Sequence, residues 1–412
     1  MTYGLIGEKL GHSYSKLIHE MLGRYTYDLF SLNKDEFQTF ISERKFDGLN
    51  ITIPYKKAVI PMCDKVSSLA QEIGSVNTLY FTEGKLCGTN TDYHGFLYAA
   101  KTAGISFTNK KVLILGNGGT SLTARKAVRD SGASEILIAS RRDEEGCISY
   151  SSLPGHKDIE IIVNTTPVGT YPNNGGRLIE LKDFPACEGV IDVIYNPLAT
   201  DLLLQAKALG IPHTNGLSML VAQATAAAEY FLDENGFQDE NPHIIDALSK
   251  DIENIVLIGM PGCGKSTLGK RLAKKLGKAF VDMDAVITEK AGMSIPEIFE
   301  KYGEQHFRDI ESQVAAELGK EHGQIISTGG GVVIRPENMK ALSQNGRVLF
   351  IDRPIKYLAT SGRPLSKDYG AVKKLYEQRL PLYNKYSQLT LKAGPNIDKN
   401  VNTMCTLLGH IE

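Results

Sequence analysis

No stretch of 18 apolar residues occurs anywhere in the 412-residue sequence, which excludes a membrane-spanning helix. Net charge is almost absent, at -1, so no general attraction to nucleic acid or to an anionic membrane is expected. Cysteine is sparse. The six, at positions 63, 87, 147, 187, 263 and 405, show neither metal-ligand nor disulfide spacing. The Met1–Gly7 segment has no basic region and no long apolar stretch, so no signal peptide is expected. These absences together lead us to expect a cytoplasmic protein. What remains is ordinary composition, 42% hydrophobic and 23% charged, in a chain long enough for two or three domains.

The densest signal lies past the middle, at Gly259-Met260-Pro261-Gly262-Cys263-Gly264-Lys265-Ser266-Thr267. An apolar run, Ile255–Ile258, precedes it as a buried strand, and Leu268–Leu276 follows as a helix. Strand, glycine loop and helix form the context of a Walker A phosphate loop. Gly259, Gly262 and Gly264 let backbone N–H groups turn inward around phosphate oxygens. The helix start adds its dipole. Lys265 supplies a point charge for the β- and γ-phosphates and Ser266 a hydroxyl for Mg²⁺. Pro261, Cys263 and Thr267 complete the candidate ATP contacts, with Cys263 read as a small filler rather than a redox switch. A new domain therefore begins near residue 251.

Upstream, residues 2–7 read as a strand, followed by Gly11-His12-Ser13-Tyr14-Ser15-Lys16 and a helical run, Leu17–Tyr25. One serine suits an N-cap; two at i and i+2 leave one free for a carboxylate. Phe46–Lys56 reads as a strand ending at Pro54, with Lys56 just beyond, where an open α/β sheet faces its ligand crevice. Taken alone, Lys56 reads as a surface lysine and Asn90-Thr91-Asp92 as a turn. Lys111–Leu115, the turn Gly116-Asn117-Gly118-Gly119-Thr120, a helix from Ser121 to about Ser131 and the strand Glu135–Ala139 form a βαβ unit with a dinucleotide-type glycine turn. NAD enzymes place an acid at the end of that second strand. Here Ser140-Arg141-Arg142 stands there, and guanidinium forks suit a 2′-phosphate, so NADP is expected over NAD. Apolar strands at 159–164 and 189–193 follow, and Gly216–Gln223 opens a long Ala-rich helix that would pack back on the first lobe.

Taken in order, the Ser-x-Ser patch, Asn-Ile-Thr-Ile-Pro-Tyr-Lys, Val-Asn-Thr, Asn-Thr-Asp, Gly-x-Gly-Gly, Asn-Thr-Thr-Pro-x-Gly and Gly-Leu-x-Met-Leu-Val-x-Gln resemble shikimate dehydrogenase over residues 1 to about 245. The resemblance implies reduction of 3-dehydroshikimate to shikimate with NADPH. It assigns Ser13 and Ser15 to the substrate carboxylate, and Asn50, Thr52, Asn77, Asp92 and Gln223 to the ring oxygens. Tyr195 also falls at the substrate, and Lys56 and Asp92 form the catalytic pair. It places Gly116, Asn117, Gly118, Gly119, Thr120, Ser140, Arg141, Arg142 and Gly216 at NADP. The family usually has Asn-Arg-Thr where this chain has Ser140-Arg141-Arg142.

After the phosphate loop, Ala279–Asp284 reads as a strand ending in two carboxylates, Asp282 placed for Mg²⁺ and Asp284 for a substrate hydroxyl. Gly303–Arg308 begins a helix, and Ile325–Ser327 runs into Gly329-Gly330-Gly331, for which no packing reason is evident in the sequence. Arg363 and Arg379 stand in Arg-Pro-Leu and Arg-Leu-Pro-Leu-Tyr contexts. This set resembles shikimate kinase over residues 254 to about 392. It implies that Arg308 and Arg379 hold the carboxylate, Asp284 orients the attacking hydroxyl, and Gly329, Gly330 and Gly331 line the ring. Lys265, Asp284 and Arg363 would then carry the transfer. Residues 354–368 are short for the family's lid, and no second arginine stands at 357–360.

The expected architecture is α/β: a two-lobed dehydrogenase with a Rossmann-like NADP lobe, then a P-loop kinase domain with a parallel sheet. Its divisions are a substrate lobe at 1–100 closed by a helix at about 223–240, an NADP lobe at 101–222 and a kinase domain at 252–412. The junction, Asn241–Asp251, has no Gly/Ser spacer, which suggests restricted motion. The expected ligands are NADP(H), ATP, Mg²⁺, 3-dehydroshikimate and shikimate, with a monomer or homodimer and neither nucleic acid nor membrane as partner. Two alternatives stay open: one half that only binds or regulates, and a quinate-type dehydrogenase in the first half.

Overall fold

Seventeen strands fall into three sheets in the computed structural model, which describes residues 2–11, 13–141, 144–358 and 369–410. The chain divides into two units, Met1–Leu248 and Ser249–Glu412. The first unit holds two sheets. One is built from β1 (Tyr3–Gly7), β2 (Tyr27–Ser31), β3 (Gly48–Ile51), β4 (Lys65–Val66), β5 (Thr78–Thr82) and β6 (Lys85–Thr89), in the order β2-β1-β3-β5-β6-β4. It is mixed, with β5 antiparallel to β3 and β6. The β5–β6 hairpin closes through Glu83 and Gly84, both at positive φ, as the twist of a two-residue turn demands.

The other sheet comprises β7 (Lys111–Leu115), β8 (Glu135–Ser140), β9 (Ile148–Ser149), β10 (Ile161–Asn164), β11 (Gly189–Asp192) and β12 (His213–Thr214). It is parallel throughout, in the order β12-β11-β10-β7-β8-β9. Strand order reverses beside β7, the switch point at which open α/β sheets bind ligands. The apolar run of β7 follows from burial on both faces.

The second unit has one parallel sheet of β13 (Asn254–Ile258), β14 (Ala279–Asp282), β15 (Gln324–Ser327), β16 (Gly346–Asp352) and β17 (Leu389–Lys392), in the order β14-β15-β13-β16-β17. Among the described residues no helix is long and apolar enough to cross a membrane, and the six cysteines are all free.

Several boundaries differ from the sequence reading. Strand β3 stops at Ile51, and the chain then turns, Tyr55 N–H reaching the Thr52 carbonyl. The first helix is Ser15–Met21, ending before Tyr25. Asp284 is not on a strand. Strand β14 ends at Asp282, whose carboxylate caps the helix Met283–Ala291 by accepting from Asp284 N–H. The helix expected to begin at Gly303 does so: Gly303, at φ 82° and ψ 173°, is non-helical and separates the run to Leu318 from a preceding helix that starts at Ile295. The long Ala-rich helix opens at Gly216, as expected, and ends at Leu232, short of the 240 given for the helix that closes the first lobe.

That helix packs on Asp92–Thr102. The crossing depends on Gly95, where an added Cβ would stand 2.4 Å from the Met219 carbonyl oxygen. Gly95→Ala is therefore expected to destabilise the first unit by about 1–3 kcal/mol, the usual cost of overpacking. Urea-dependent hydrogen exchange of peptides from residues 1–248 would read this; unchanged protection would show that the crossing has slack.

Candidate active sites

In the first unit the candidate residues gather at the strand ends. Lys56 Nζ lies 2.5 Å from Asp92 Oδ2, with both side chains largely covered. Asp92 opens its helix, where the macrodipole favours a carboxylate. Asn77 ties the neighbouring elements together. Its Oδ1 accepts from Thr91 N–H at 2.7 Å, and its Nδ2 donates to Thr91 Oγ1 at 3.0 Å and to Gln223 Oε1 at 3.5 Å. Asn50 is nearly saturated: Tyr27 Oη donates to its Oδ1 at 2.7 Å, and its Nδ2 donates to Thr78 Oγ1 and the Asn77 carbonyl. Thr52 sits against Gly7. The cap residue of the first helix is Tyr14, with no side-chain cap bond, so neither serine serves as the N-cap. Ser13 Oγ accepts from Ser15 N–H at 3.3 Å. Tyr195 meets Tyr14 edge-on at 5.8 Å, beside that turn.

The glycine turn after β7 is built for a ligand's approach. Gly116 has φ +101° and closes against Thr165 and Thr166. Gly118 caps the helix Gly119–Asp130 without a side chain, and nothing lies within 4 Å of a Cβ added at Gly118 or Gly119. Asn117 Nδ2 donates to Glu144 Oε2 at 2.5 Å, a carboxylate unforeseen from sequence. Thr120 lies in the helix's first turn. Ser140 ends β8 and Arg141 is exposed beyond it; Arg142 lies outside the described residues. Gly216 has its own packing reason, since an added Cβ would stand 2.0 Å from the Val193 carbonyl oxygen.

In the second unit Lys265 Nζ donates to the carbonyls of Gly259 at 2.9 Å and Met260 at 3.1 Å. Cys263 is fully buried. Ser266 Oγ donates to Asp282 Oδ2 at 2.7 Å and lies 3.1 Å from Ser327 Oγ. A cavity of about 820 Å³ is lined by Pro261, Asp282, Asp284, Arg308, Gly329–Gly331 and Arg379, among others. Arg308 Nη1 donates to Glu311 Oε2 at 2.8 Å and Nη2 to Glu304 Oε1 at 2.9 Å. Arg379 Nη1 donates to the Gly330 carbonyl at 2.9 Å. Packing does require Gly330, contrary to the sequence reading, and it crowds Gly329 and Gly331. A Cβ at Gly331 would stand 2.5 Å from the Arg308 guanidinium, and one at Gly330 2.5 Å from the Pro261 ring. A Cβ at Gly329 would stand 3.0 Å from Asp284 Oδ1. Arg363 lies outside the described residues.

Comparison with known proteins agrees with both halves. Residues 261–407 match the family model for shikimate kinase. Residues 5–79 match the model for the shikimate dehydrogenase substrate binding domain. A shikimate dehydrogenase (NADP(+)) from Clostridium perfringens is 36% identical over 245 residues, which are 55% of this chain and 90% of that protein. The chain belongs to the shikimate dehydrogenase family and carries a shikimate kinase domain. Another shikimate dehydrogenase (NADP(+)), from Thermosynechococcus vestitus, is 35% identical over 254 residues, 56% of this chain and 89% of that protein. A solved chorismate mutase/shikimate 5-dehydrogenase fusion protein from Clostridium acetobutylicum has a TM-score of 0.58 at 34% identity. It covers 60% of this chain and 97% of its own. Shikimate 5-dehydrogenase from Thermus thermophilus, solved with NADP(H) and shikimate, has a TM-score of 0.54 at 29% identity over 60% and 99%. The polypeptide is thus a bifunctional shikimate-pathway enzyme.

Two groups in these sites had escaped the sequence reading. In the kinase unit, Glu311 is fully buried. Burial holds its carboxyl above the usual range despite the Arg308 guanidinium, and among the described residues its Oε1 has no hydrogen-bond partner. Its i, i+3 spacing from Arg308 on one helix was the available signal. In the dehydrogenase unit, His19 stacks on Tyr27 at 4.0 Å and bonds Tyr25 Oη through Nδ1 at 2.7 Å. Tyr27 in turn holds Asn50.

Burial pushes the His19 imidazolium down to about 3, with Asn50 opposing. A depressed histidine favours the fold when neutral, so its contribution is present above the unfolded value near 6.5 and is lost as pH falls towards 3. His19→Phe is expected to flatten the stability–pH curve of residues 1–248 below pH 6.5, by up to about 1.4 kcal/mol per pH unit. Urea-dependent hydrogen exchange at several pH values would check it. Parallel curves for the two proteins would show that His19 does not titrate on unfolding.

Proposed function

We propose that the first unit reduces 3-dehydroshikimate to shikimate with NADPH and that the second transfers a phosphoryl group from ATP to the 3-hydroxyl of shikimate. The Lys56–Asp92 contact carries the first half of this reading. NADPH, when bound, supplies the hydride. Hydride addition to a carbonyl leaves an oxyanion that needs a proton. Lys56 donates a hydrogen bond and then a proton to that oxygen, and Asp92 keeps the ammonium oriented and charged. Ser13 and Ser15 take the substrate carboxylate. Asn77 and Gln223 address ring hydroxyls, while Asn50 aligns that network from behind. The residues fit the dinucleotide: an uncapped helix start and two glycines with open space around them suit a pyrophosphate, and Arg141 suits a 2′-phosphate.

In the kinase unit Arg308 and Arg379, both nearly buried on one cavity, match a small carboxylate. Asp284 accepts from the attacking hydroxyl, and Lys265 neutralises phosphate charge. Ser266 and Asp282 fit Mg²⁺, as a hydroxyl and a carboxylate 2.7 Å apart at the phosphate loop. Among the described residues no group of three His, Cys, Asp or Glu side chains is placed to hold a metal, so phosphates and water would complete the shell. Mg²⁺, when bound, offsets charge on the transferring group.

Two assays on the full chain test this reading, shikimate-dependent reduction of NADP⁺ and shikimate-dependent consumption of ATP. Lys56→Ala is expected to lower the first about 10²–10⁴-fold and to spare the second, and Lys265→Ala to do the reverse. Equal loss of both activities in either variant would mean that the assignment of chemistry to units is wrong.

A further inference from the structure

We propose that Arg353 binds the phosphate chain of the nucleotide in the kinase unit, an inference that rests on the ATP reading above. Arg353 directly follows β16, the strand beside β13, and β13 runs into the phosphate loop. Its guanidinium lies over that loop: a Cβ added at Gly264 would stand 3.5 Å from Arg353 Nη1. Gly264 precedes Lys265 and caps the phosphate-loop helix at φ +99°.

Among the described residues the guanidinium has nothing else to hold. Its Nε is buried with no hydrogen-bond partner, and no hydrogen bond or ion pair engages Arg353 among the described residues. The adjacent acid is already committed, Asp352 accepting from Tyr376 Oη at 3.0 Å and from Lys392 Nζ at 2.6 Å. An arginine kept for packing would find a carbonyl or carboxylate, because a buried N–H without an acceptor is costly. What stands nearest instead is a glycine loop and an open helix start, where anions collect. Lys265 meanwhile spends two donors on the carbonyls of its own loop. The planar fork of Arg353 matches two phosphate oxygens, a geometry that a lysine ammonium does not offer.

Calorimetry on the full chain, with ADP and with inorganic tripolyphosphate as probes, tests the proposal. Arg353→Met is expected to weaken both about tenfold or more, as loss of a charged phosphate contact should. It should raise KM for ATP and leave KM for shikimate unchanged, and Arg353→Lys should recover part of the loss. Arg353→Gln, polar but uncharged, should lose affinity as the methionine variant does and serves if that variant folds poorly. Wild-type affinity for both probes in Arg353→Met or Arg353→Gln would overturn the proposal. So would a loss confined to ADP, which would put the arginine on the adenosine instead. Failure of the unaltered protein to bind either probe would overturn the ATP reading itself.

Discussion

At Gly95 the helix that begins with Asp92 crosses the helix that carries Gln223 so closely that one methyl group would collide with the Met219 carbonyl. The crossing fixes the separation of Asp92 and Gln223. Hydrogen bonds then tie Lys56 to the first and Asn77 to the second. Close-packed elements transmit displacement rather than absorb it, so the spacing of the whole polar set is inherited from one glycine. The kinase unit uses the same device in series. Gly329, Gly330 and Gly331 face Asp284, Pro261 and Arg308 respectively. One short stretch of backbone thereby lies against an acid, the phosphate loop and an arginine.

Charge is paired in both units. Lys56 is paired with Asp92, Arg308 with Glu311 and Glu304, and Lys265 with two loop carbonyls. Removing one partner from a buried pair costs about 3–5 kcal/mol, because an uncompensated charge remains. Such pairing therefore serves as scaffold as well as chemistry. It also limits side-chain freedom: a guanidinium already held at Nη1 and Nη2 presents its remaining edge in a fixed direction, and a ligand carboxylate loses less entropy of its partner on binding.

The parts of this architecture that could be read from sequence are those whose constraint is local. Gly259, Gly262 and Gly264 all adopt positive φ; the phosphate loop cannot form without glycine there, so the sequence must display it. Gly116 is the same case in the dinucleotide turn. The apolar runs of β7 and β13 announce strands buried on both faces. What stayed hidden depends on distant neighbours. Nothing near Gly330 in the chain names Pro261, and nothing near Gly331 names the Arg308 guanidinium, so the three glycines looked free of packing duty. Glu311 reads as one more helical acid until the cavity is seen. The end of β3 was misplaced because Ile53 continues the apolar pattern after the ladder has stopped. Asp284 was put on a strand because cap geometry, not composition, decides where β14 gives way to a helix.

The two proposed carboxylate sites differ in a way that the chemistry of each reaction explains. Protonating an alkoxide requires a cation whose donor is free to reach one oxygen. A guanidinium beside Lys56 would compete with it for Asp92. On the proposed reading, neutral hydroxyls, Ser13 and Ser15, anchor an acid without entering that balance. Phosphoryl transfer sets the opposite problem. Asp284, Glu311 and an incoming carboxylate all converge on a cavity beside a triphosphate site, and like charges in one low-dielectric space repel strongly. Two nearly buried arginines offset that excess. Hydroxyls in one unit and guanidinium groups in the other are thus each the anchor that leaves the neighbouring catalytic group with the charge it must have.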